Sequence, residues 1–118
     1  MPINFETFKP TSVDELRNGL LQVVIDTAAG QWNLIRNEMT YQLSFIAEKT
    51  ATVMAQLSKK QITRKEADGS LHLLEINLNS ALREFAFMAY TVAQKILNSV
   101  FQLLRSAIRN VTGITLLL

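Results

Sequence analysis

Apolar residues recur at steps of three and four from Leu16 through Leu20, Val23, Val24, Ala28, Trp32, Ile35, Met39, Leu43, Ile46 and Val53 to Leu57. That period is helical, and it lays a single stripe along a rod that something must cover. Ser12 stands three residues before Glu15, the spacing at which each side chain satisfies the other's backbone N–H. A long helix is therefore predicted over 12–58. Unbroken, it would reach about 69 Å, more than a domain needs, and Gly30 is the natural place for it to bend or break. A second stripe through Leu82, Phe85, Ala89, Val92, Ile96, Val100, Leu104 and Ala107 predicts a helix over 80–112, closed by Gly113. Phe87, Met88, Tyr90, Leu97, Phe101, Leu103 and Ile108 widen its apolar face beyond what one antiparallel neighbour covers.

The connection 59–79 admits two readings. Asp68-Gly69 is a strong type I′ turn signal, and Leu74, Ile76 and Leu78 alternate with Glu75, Asn77 and Asn79, which favours a β-hairpin. Thr63 and Glu66 have the spacing of a capping box, with Ile62 and Ala67 as its staple, which favours a helix. A helix would place Glu75 within the apolar face and Leu73 and Ile76 opposite it, and the hairpin is preferred on that ground. Residues 1–11 are expected to form an irregular arm, and 113–118 an apolar tail docked on its own chain or a neighbour.

The expected architecture is one domain over 1–118, dominated by α-structure. Its long antiparallel helices form a helical hairpin or three-helix arrangement with a small central β-hairpin, completed as a bundle by oligomerisation. With 118 residues, 48% hydrophobic and 19% charged, and only 4 Gly and 2 Pro, the composition excludes a disordered tail or a loop-dominated scaffold. The beginning MPINFETFKP lacks a basic start followed by an apolar run, so the cytoplasm is the default location. Phe85–Leu104 is the most membrane-like stretch, but Gln94, Lys95, Asn98 and Gln102 interrupt it along one side of a helix.

Candidate chemistry is sparse. Without Cys there is no disulfide, thiolate ligand or thiol nucleophile. The lone His72 has no GxSxG elbow beside it, and with Asp68 and Glu75 it falls short of a converging metal set. Gly30, Gly69 and Gly113 stand too far apart to form a phosphate-cradling loop. No catalytic residue, metal ligand or cofactor site is assigned, and no enzyme activity is expected.

Net charge is only +2, yet its distribution is uneven: the chain is acidic through Ser58 and basic from Lys59 onward. Lys59, Lys60, Arg64 and Lys65 form a dense positive run, and with Arg83 they are the candidate contacts for an anion or nucleic acid. The stretch ITRKEA followed by HLLEINLNSALREF resembles the helix-turn-helix of Fis and NtrC-type regulators. Leu73-Leu74-Glu75-Ile76-Asn77 would stand at its turn, with Glu75 where that motif has Gly, and Asn79, Ser80, Leu82 and Arg83 would open a recognition helix over the 62–85 region. The chain is assigned to no family on this ground.

The leading expectation is a non-enzymatic, self-associating helical protein, a dimer first, that serves as an assembly, structural or adaptor module. Trp32, Ile35, Met39, Phe85, Tyr90, Ile96, Leu97, Val100, Phe101 and Leu104 are the expected oligomer interface. A nucleic-acid-binding regulator using 59–65 is the alternative, and a membrane-associating amphipathic helix through Phe85–Leu104 a further one.

Overall fold

The computed structural model describes residues 3–116 and contains four α-helices: α1 (Val13–Ala28), α2 (Trp32–Ser58), α3 (Arg64–Arg83) and α4 (Tyr90–Thr112). A 3₁₀ turn, Ala29–Gln31, joins the first two. Successive helices run antiparallel. The extents are 43 × 28 × 21 Å, and the long axis is about the length of α2, whose 27 residues rise about 40 Å.

Local signals set most of the boundaries. Ser12 Oγ accepts the Glu15 N–H at 3.1 Å, so α1 starts where predicted. The reciprocal half of the expected box is absent, because the Glu15 carboxylate takes the Thr11 hydroxyl instead. The break between α1 and α2 falls at Ala29, one residue before Gly30. Ala29 has φ 50° and ψ −120°, while Gly30 is not in the left-handed region. Helix α2 ends in a Schellman motif: Gln61 N–H donates to Gln56 O at 2.8 Å and Lys60 N–H to Leu57 O at 3.1 Å, with Lys60 left-handed at φ 59°.

The predicted β-hairpin over 59–79 is not formed, and no strand occurs among the described residues. The capping box prevails: Thr63 Oγ1 accepts the Glu66 N–H at 3.1 Å, and the Glu66 carboxylate accepts the Thr63 N–H at 3.0 Å. From there Ala67, Leu71, Leu74, Leu78 and Leu82 are buried at steps of four and three. Asp68-Gly69 therefore lies inside a helix, where its turn preference is outweighed by burial of this stripe. The helix-turn-helix expectation over 62–85 fails with it, since Leu73–Asn77 is mid-helix in α3.

The helix predicted over 80–112 is interrupted. Helix α3 ends at Arg83 and α4 begins at Tyr90, with Phe85 and Met88 folded against the core and the Met88 N–H on Phe85 O at 2.9 Å. The reversal lets α4 return along α3. Gly113, at φ 77° with its N–H on Arg109 O, ends α4 as predicted.

Helices α2 and α4 are both central: each lies against the other three, whereas α1 and α3 do not meet. On α4, Ile96, Leu97, Val100, Phe101, Leu103, Leu104, Ala107 and Ile108 are all buried, so most of the wide apolar face is covered within one chain, while Phe87 and Tyr90 stay exposed. The arm before α1 is also docked. Asn110 Nδ2 donates to Phe8 O at 2.7 Å and to Phe5 O at 3.2 Å, and the Phe8 ring lies so close to Gly19 that a Cβ there would be 2.5 Å from its Cζ. In the tail Leu116 is buried; Leu117 and Leu118 lie outside the described residues. No described helix is long and apolar enough to cross a membrane.

Candidate interaction surface

Helix α3 packs on α2 and α4 through one stripe and leaves the opposite side to solvent. Leu73 and Ile76, three residues apart and so on the same side of the helix, are 64% and 47% exposed. They are the two apolar residues that do not fit the buried period.

A groove flanks this ridge on each side. Toward α2 it has a volume of about 280 Å³ and is lined by Phe45, Lys49, Val53, Leu73, Leu74 and Asn77. Lys49 Nζ sits 5.6 Å from the centroid of the Phe45 ring, keeping a cation over an aromatic that is 41% exposed. Toward α4 the groove is about 350 Å³ and includes His72, Glu75, Ile76, Arg83, Tyr90 and Gln94. His72 Nδ1 lies 3.7 Å from Glu75 Oε1, and Tyr90 is 71% exposed. Two aromatics, an aliphatic ridge and a thin polar rim together make a surface that can bury apolar area. No cluster of three His, Asp or Glu able to hold a metal occurs among the described residues.

The expected interface residues separate into two groups. Ile35, Met39, Ile96, Leu97, Val100, Phe101 and Leu104 are buried in the chain's own core. A second copy could reach them only by unfolding the first. Trp32 and Phe85 are half-buried against that core, and Tyr90 alone stands well out on the surface. Helix α4 has three helical neighbours in the fold, not the single antiparallel neighbour expected from the sequence. For the same reason the Phe85–Leu104 face is chiefly packing surface and is not free to lie on a membrane.

The basic residues also divide. Lys59, Lys60, Arg64 and Lys65 are all exposed around the α2–α3 connection, and none forms an ion pair among the described residues. Arg83 is at the opposite end of α3, about 30 Å away along its 20 residues, beside Tyr90. The fold therefore keeps the 59–65 run as one patch and removes Arg83 from it. Sequence reasoning missed Leu73, Ile76 and Phe45. Their signal was present for the first two, as apolar positions off the helical stripe.

Comparison with protein-family models, with curated proteins and with solved structures gave no match.

Proposed function

We propose that the chain is a non-enzymatic assembly module that pairs with a second copy through the outer face of α3. The observation that carries this reading is the Leu73–Ile76 ridge, exposed on one turn and bordered by Phe45 and Tyr90 across its two grooves. Apolar contact area of this kind gains free energy when removed from water, at about 25 cal/mol per Å². Two copies related by a twofold axis can cross their α3 ridges and each shield the other's, leaving His72, Glu75 and Arg83 at the rim.

The test is molar mass against concentration by sedimentation, for the parent chain and for Leu73→Glu and Ile76→Glu. The parent is expected to dimerise, and each charged variant to be a monomer with an unchanged helical spectrum, because both sites are already exposed. A parent that stays monomeric over a wide concentration range refutes the reading, as does a dimer indifferent to both substitutions.

A second reading rests on the exposed Lys59, Lys60, Arg64 and Lys65, which form no ion pair among the described residues and make a patch suited to a nucleic-acid backbone. Under it, Lys59→Gln with Lys60→Gln weakens binding and flattens its salt dependence. No mobility shift at low salt ends that reading.

A further inference from the structure

Away from the α3 ridge, the last turns of α4 and the chain that folds back after Gly113 border an open cup of about 320 Å³. Its lining is polar and one-sided in charge: Gln102, Arg105, Ser106, Arg109 and Thr115, with Leu116 as the apolar wall. Arg105 and Arg109 are one helical turn apart, so their guanidinium groups rise from the same face. Neither forms an ion pair among the described residues. Among the described lining residues none is acidic, so an anion between the two guanidinium groups would relieve their mutual repulsion.

The cup is a product of the fold. Gly113, left-handed at φ 77°, turns the chain back, and Ile114 N–H donates to Thr112 Oγ1 at 3.1 Å, fixing the turn. Leu116 is then buried, which brings Thr115 over the arginines. The carbonyl end of a helix disfavours an anion placed on its axis. This cup instead flanks the helix along Gln102–Arg109, where the two full positive charges outweigh the partial negative charge beyond the last turn.

We infer that this cup binds a phosphate group, carried on a small phosphomonoester or as inorganic phosphate. Two planar guanidinium forks, two hydroxyls and one amide offer more donors than a planar carboxylate can accept, and they suit the several oxygens of a tetrahedral oxyanion. The volume exceeds that of the phosphate group alone, and Leu116 provides an apolar wall for an organic remainder.

The experiment is a nitrogen-edited NMR titration of the intact chain at fixed ionic strength with inorganic phosphate, phosphoserine and succinate. Phosphate and phosphoserine should saturably shift the Arg105 and Arg109 side-chain N–H signals and the Thr115 amide. Arg105→Gln and Arg109→Gln should each raise the dissociation constant about tenfold, the effect of losing one charge-assisted pair. Arg36→Gln removes the same charge from an exposed position near the start of α2, outside the cup, and should leave binding unchanged. Shifts that fail to saturate, that persist in the two arginine variants, or that are matched by succinate overturn the inference.

Discussion

Ala29 holds a backbone conformation that belongs to glycine, while the glycine stands next door. At φ 50° and ψ −120° its Cβ is forced against the neighbouring peptide, a conformation that costs about 1–3 kcal/mol for a residue with a side chain. Gly30 has no such φ, and a Cβ added there would meet nothing within 4 Å. Exchanging the two, Ala29→Gly with Gly30→Ala, relieves the strain at one position and fills open space at the other. Because composition is unchanged, the extra freedom that a glycine gives the unfolded chain cancels to first order. The expected gain is about 1–2 kcal/mol. In urea unfolding followed by circular dichroism, the midpoint should rise with the slope unchanged. Ala29→Gly alone should gain less, by the about 0.4–1 kcal/mol that the added chain entropy costs. A midpoint that falls in the exchanged variant would show that the left-handed step at 29 is not strained, and the reasoning would fail.

Two further substitutions probe the core and the arm. Thr50 is fully buried and its Oγ1 has no hydrogen-bond partner; Thr50→Val keeps the shape, removes the orphaned hydroxyl and should raise stability by about 1 kcal/mol, measured as the same midpoint shift. Gly19→Ala gains about 1 kcal/mol of helix propensity but places a Cβ 2.5 Å from Phe8 Cζ. The expected outcome is release of the arm with little change in the global midpoint, read as lost hydrogen-exchange protection of the Phe8 amide, which donates to Asn4 O at 3.0 Å. An arm that stays protected in that variant counts against the close packing of Phe8 on Gly19.

Where a boundary depends on a local hydrogen bond, the amino-acid order announced it. Ser12, Thr63 and Gly113 act at the ends where capping chemistry places them. The stripe Leu16–Leu57 is likewise the buried stripe of α1 and α2, apart from the half-buried Trp32. The hairpin failed because Asp68-Gly69 is a statement about a few residues, while burial of Ala67, Leu71, Leu74, Leu78 and Leu82 acts over the whole of α3. The reversal at 84–89 carries neither Pro nor Gly. It is set by tertiary packing of Phe85 and Met88, which no local signal reports. The surface around α3 was hidden behind the same error: Leu73 and Ile76 lying opposite the stripe weighed against a helix, when the helix was real and the two residues were its exposed face.

Because α4 touches all three other helices while α1 and α3 never meet, the order of synthesis leaves the interior open until late. The α1–α2 pair can zip together as soon as both have emerged, yet Leu20, Ile46 and Leu78 share a core that also needs Ile96, Val100 and Leu104. A nascent chain halted before α4 would display grease that the finished molecule hides, and would depend on a chaperone, or on the next stretch of polypeptide, to keep it from aggregating.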